Sequence, residues 1–182
     1  IALVETPSKT DAELLAIEGF GPSSLYEVRS NVGQANLPFV PEEFFTYEGG
    51  VKTEWYDKLA PVLFYTLCEY RRLWGAPVMV SHAEGAIGRH DSYDRLSDHN
   101  ITRWGVVNAV DVFPEGMNTQ VSAIEAMRLA EKAGFGHIGV YPNWSRPGLH
   151  LGIGEKRKRW GSLTPGVYIG SDEAISTWRT VK

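Results

Sequence analysis

The chain has 182 residues, 43% of them hydrophobic and 22% charged, with a formal net charge of −4. A single cysteine, Cys68, excludes an intrachain disulfide and a multi-cysteine metal site, and the negative balance argues against a protein whose affinity rests on nucleic-acid phosphates. No stretch approaches the roughly 20 consecutive apolar residues of a membrane-spanning helix, and a chain of this size buries a core without disulfide staples.

The opening run "IALVETPSKTD" has neither a basic start nor a long apolar stretch, so no signal peptide is expected in it. A protein working outside the cytosol would then need another means of delivery. "DAELLAIEGFG" predicts a short helix with Asp11 as its N-cap. Residues 20–42 are rich in Gly, Pro, Ser and Asn and read as an irregular arm. The expected division is therefore an N-terminal arm over 1–42 and a folded domain over 43–182.

Within that domain the spacing predicts a helix over 54–74. Trp55, Leu59, Val62, Leu63, Thr66, Leu67, Tyr70 and Leu73 recur at intervals of three and four, and Thr53 is placed to cap it. Pro61 falls inside and predicts a kink or a late start. "PVMVS" (77–81) reads as a short buried strand and "GVVNAVDVF" (105–113) as the next. Alternation in the second puts Val107, Ala109, Asp111 and Phe113 on one face. "TQVSAIEAMRLAEKA" (119–133) is an amphipathic helix stopped by Gly134, and "GHIGVYP" and "GLHLGIG" follow as two strands. This order predicts an α+β fold: a small, mostly antiparallel sheet against helices, with a site at the strand ends.

Asp111 is the odd residue among valines, since a carboxylate in an apolar strand is costly without a cation, a metal or hydrogen-bond donors. His99, Asp111 and His150 lie within or beside predicted strands, and two imidazoles with one carboxylate suit Zn2+ with one position left for water. The alternative is that Arg95 or backbone amides hold Asp111 and that both histidines are ordinary.

The ordered words "EGAIGRHDSYDRLSDHN", "GVVNAVDV", "GFGHIGVYPNW", "GLHLGI" and a closing "RW" resemble the zinc peptidases of the D-alanyl-D-alanine carboxypeptidase and Hedgehog-domain superfamily. The similarity is nearest to phage and bacterial murein endopeptidase-like branches and covers residues 44–161. Carried over, it implies His99, Asp111 and His150 as zinc ligands and hydrolysis of peptide bonds in bacterial peptidoglycan. It also implies action at the cell wall, as a lysin, murein endopeptidase or carboxypeptidase. Two departures stand out. "ITRWG" (101–105) lengthens the hairpin between His99 and Asp111, at a cost of only about 0.6 kcal/mol per doubling of loop length. The family also places a carboxylate close to the last histidine as base, whereas positions 147 and 152 here are Pro and Gly.

The base is therefore sought elsewhere. Glu84 is the first candidate, with Asp98 and Glu155 as alternatives, each weighed against a solvent-facing role. Arg95 suits a substrate carboxylate or a developing oxyanion, or else pairs with Asp98 or Asp111. His82 and His137 are expected on the cleft wall or behind the ligands, and His90 on a loop surface. Tyr141 and Trp144 would stack on a sugar or peptide, or simply pack. "KRKR" (156–159) would contact anionic wall polymer, or be a solvated strand end.

The competing reading from another class is a non-hydrolytic metal-binding domain, structural or wall-binding, in a phage or cell-envelope assembly. The N-terminal arm would dock its partners. A nuclease reading of "DHN" lacks a basic cleft.

Overall fold

The computed structural model describes residues 39–90 and 96–178; the short helix expected from Asp11 lies outside them. Among the described residues the architecture is α+β. A six-stranded sheet is built, in spatial order, from β3 (Val78–Val80), β4 (Ala109–Pro114), β6 (Gly148–Gly152), β5 (His137–Tyr141), β7 (Lys158–Thr164) and β8 (Val167–Ile169). Neighbours are antiparallel except β5 and β7, which run parallel. The sheet is thus mixed, though mostly antiparallel as expected.

Strand alternation divides the sheet's two faces. Val110, Val112, Ile138, Val140, Leu149 and Leu151 are fully buried and join the core with helices α1 (Pro61–Trp74) and α3 (Gln120–Ala133). Those helices contribute Leu63, Phe64, Leu67 and Tyr70, and Ala123, Ala126 and Ala130. Burying one such aliphatic chain stabilises by about 1.5–3 kcal/mol, so the core face alone fixes each strand's register. A slip by one residue would turn every valine outward. The opposite face then necessarily carries Asp111, His150, His137 and Tyr141. Among the described residues, no helix is long and apolar enough to cross a membrane.

Two expectations need correction. The first helix starts at Pro61, not at 54, and Thr53 caps nothing. Thr53 belongs instead to β2 (Val51–Glu54), paired with β1 (Phe45–Glu48) through a turn in which Gly49 and Gly50 have φ of 56° and 85°. Two successive positive φ angles make the tight hairpin that Gly-Gly favours. Trp55 and Leu59 are buried at helical spacing but flank a short 3-10 turn, Tyr56–Lys58, and Trp55 Nε1 donates to Thr46 Oγ1 at 2.7 Å. Proline at the first helical position needs no N–H partner, which explains the late start.

Second, "ITRWG" does not lengthen a hairpin. It forms a one-turn helix, α2 (Ile101–Trp104), capped by the Asn100 side chain and closed by Gly105 at φ 73°. Strands β7 and β8 and the helix α4 (Ser171–Ser176) fall within the expected 43–182 domain and continue the fold past residue 161, where the motif resemblance ends. Phe39, from the stretch read as an arm, is fully buried, its ring beside that of Phe44.

Helix α3 matches its expected span, with Thr119 and Ser122 exchanging capping hydrogen bonds and Gly134 in the left-handed region. Replacing Thr119→Ala should cost about 1 kcal/mol in urea unfolding while leaving metal content unchanged, because the cap is on the far side of the core from the site.

Candidate metal centre

Asp111 on β4 and His150 on β6 are directly opposed in the strand register. His99 reaches them from the turn before α2. His99 Nε2 lies 3.0 Å from His150 Nδ1 and 3.4 Å from Asp111 Oδ1, and His150 Nδ1 lies 3.1 Å from the same oxygen. Two donors each about 2.0–2.1 Å from a tetrahedral ion stand about 3.3 Å apart. The three edges therefore fit one face of such a polyhedron, and the group could hold a metal ion. Two imidazoles and a carboxylate suit a first-row divalent ion.

The Ser/Asp/Asn turn exists to aim His99. Ser97 Oγ accepts from the His99 backbone N–H, and Asn100 caps α2 immediately after. The His99 carbonyl accepts from the Arg89 N–H, and the Ile101 N–H donates back to the Arg89 carbonyl. His99 Nδ1 donates to the Ile87 carbonyl at 2.7 Å. A carbonyl only accepts, so this bond fixes the tautomer and leaves the Nε2 lone pair facing the site.

His150 is held from behind. Its Nε2 lies 3.6 Å from Asp98 Oδ2, and that oxygen accepts a 2.6 Å hydrogen bond from His137 Nδ1. Asp98 occupies space that only a glycine at 152 leaves free, since a Cβ there would stand 2.8 Å from its carboxylate. On the same face the Trp160 ring covers Gly139, lies 5.1 Å from the His150 ring, and donates from Nε1 to the Tyr141 hydroxyl. Tyr141 in turn stacks on Trp144 at 4.0 Å. These groups floor and wall a cleft of about 770 Å³ that also takes in Glu84, Phe113, Lys158 and Tyr168, a volume ordinary for a small-molecule or peptide site.

The partner of Asp111 is thus the pair of histidines. Burial alone would raise its pKa, but the attraction of the His99 imidazole and the hydrogen bond from His150 hold it at about 2. Burial would likewise raise Asp98, yet the attraction of His150, 3.6 Å away, and the hydrogen bond from His137 hold it at about 2. For His150, burial would lower the value, and the hydrogen bond to Asp111 with the charges of Asp111 and Asp98 outweigh it, lifting the imidazole to about 9.

The other expected residues are scattered more widely. Glu84 is exposed on a turn at the cleft wall, and Arg95 lies outside the described residues. Glu155 is exposed between β6 and β7, away from the cleft lining. His82 stacks on Phe45 at 3.8 Å and is not part of the cleft wall. His90 is exposed beside Thr102, as expected. In the basic run, Arg157 pairs with Glu131, and Arg159 donates to the Phe135 and Gly136 carbonyls beyond α3, so these two are structural. The pairing of Asp98 with His137 escaped sequence reasoning; its one signal was a glycine at 152 where an acid was expected.

Three outcomes follow for this centre. Purified protein should carry about one divalent ion per chain, and Asp111→Ala should lose most of it in elemental analysis, because only three protein donors are present. The His150 contribution to metal-free stability is full below its unfolded value of about 6.5 and is lost as pH rises through about 9. Chelated protein should therefore melt progressively earlier across that window. Near pH 7, metal uptake at Nδ1 should release about one proton, read by calorimetry in two buffers of different ionisation enthalpy. No family model, curated protein or solved structure matches the chain, so the chemistry of this centre is read from its own residues.

Proposed function

We propose that the protein is a zinc-dependent peptidase that hydrolyses peptide bonds of bacterial peptidoglycan and acts at the cell wall. The observation that carries this reading is the convergence of His99, Asp111 and His150 at edges of 3.0–3.4 Å on the floor of an open cleft. The ordered motifs that resemble murein peptidases support the substrate class. His99, Asp111 and His150 would hold the ion, which when bound supplies Lewis acidity and acidified water near neutral pH.

The remaining steps fall to the chain. Asp98 follows Ser97 in the turn that presents His99, and its carboxylate reaches the far side of His150. Of the acids weighed it is the one beside the centre, and it is assigned, through one intervening water, to take the proton as water adds to the carbonyl and to return it to the leaving amine. The His137 N–H orients that carboxylate, and Gly152 leaves it room. Asp98 would thereby stand where this family's usual acid near the last histidine is missing. Tyr141, Trp144 and Trp160 exclude water from one flank of the cleft.

One observation favours a second reading, a non-hydrolytic metal-binding domain that docks to the wall or to an envelope assembly. Asp98 is held ionised by two histidines, and so strongly stabilised a carboxylate is a weak base.

Digestion of purified sacculi by zinc-loaded protein, with and without chelator, separates the two. Chelator-sensitive release of muropeptides is expected; equal release in both, or none, would sink the peptidase reading, and sacculus pull-down without soluble product would favour the second. Asp98→Asn should lower kcat by about 10²-fold or more with zinc retained, and Glu84→Gln should do much less. The reverse order would transfer the proton-handling role to Glu84.

A further inference from the structure

The "KRKR" run divides by strand alternation. Arg157 and Arg159 are drawn to Glu131 and the end of α3. Lys158 points the other way, into the cleft, beside His137 in the parallel register of β5 and β7. It is exposed, and among the described residues it has no acidic partner. The cleft's other cation among the described residues, Arg89, is committed to Ser97 Oγ at 2.9 Å. A lysine at the end of an aromatic wall, with Trp160 and Tyr168 beside it, has the chemistry of an anion anchor.

Its distance from the centre sets what it can read. His150 is on β6, and β5 lies between β6 and β7. Two strand spacings and one two-residue step put the Cα atoms of His150 and Lys158 roughly 12 Å apart. An extended peptide advances about 3.3 Å per residue.

We propose that Lys158 binds a carboxylate of the substrate peptide three or four residues from the bond presented to the metal centre, making the cleft selective for acidic peptides. The proposal rests on the peptidase reading and adds the charge of its substrate.

The test uses zinc-loaded protein and short alanyl peptides that carry either glutamate or glutamine three or four residues from the central bond. Wild type should favour the glutamate set about fivefold in kcat/KM, mostly through KM, as a solvent-exposed charge pair allows. Lys158→Gln should bring the ratio to about one and Lys158→Glu should invert it, with zinc content equal in all three. If both sets are cut and Lys158→Gln leaves the ratio unchanged, the anchor is wrong and the peptidase reading stands. If neither set is cut, quenching of tryptophan fluorescence decides. Tighter binding of glutamate peptides by wild type than by Lys158→Gln keeps the anchor while the peptidase reading falls; equal or absent quenching overturns the anchor too.

Discussion

A carboxylate placed in the middle of an apolar sheet constrains everything around it. Asp111 is flanked by Val110 and Val112, both fully buried, and the strand cannot turn it outward without losing them. Leaving it ionised and unpaired would cost several kcal/mol, so opposing charge or donors must be brought to it. The antiparallel register supplies His150 across the strand pair, and the turn before α2 supplies His99. The same three side chains that neutralise the charge also stand where they could hold one metal ion. One arrangement thus stabilises the fold and forms the candidate centre.

A second shell of constraint is steric. The metal-site face is paved with glycines at 139, 148 and 152, and each lies under a neighbour's side chain: Trp160, Trp144 with Phe113, and Asp98 respectively. Bulk on this face is carried by a few long residues that lean over small ones. The result is a cleft with fixed aromatic walls and a polar floor. Asp98, although it follows Ser97 on a distant loop, sits above β6 as if it had grown from that strand.

What the sequence made legible was governed by short periods. Alternation over β4, β5 and β6 set the core face and placed Asp111 and His150 together, and the 3.6-residue pattern with Thr119 and Gly134 bounded α3. The same periodicity misled at Trp55 and Leu59, which are buried at helical intervals but flank a 3-10 turn. The tight turn at Gly49 and Gly50, which pairs β1 with β2, puts Thr53 on a strand instead of at a helix start. Strand β7 was hidden because its first residues read as a run of charge, and only in three dimensions do Arg157 and Arg159 separate from Lys158. The bond between Asp98 and His137 spans 39 positions. No local pattern encodes it, because it arises only where the fold brings the turn at Asp98 to the start of β5.

The parallel pairing of β5 with β7 means that the segment joining β6 to β7 must pass over the start of β5. It crosses at two glycines: a Cβ on Gly136 would strike the Gly154 carbonyl, and a Cβ on Gly154 would overlap the imidazole of His137. This crossing strap lies flat on the histidine that steadies Asp98. A single added residue in the strap, or any side chain at 154, would unlatch that imidazole without touching a metal donor. Sheet connectivity thus decides how rigidly the rear of the centre is held.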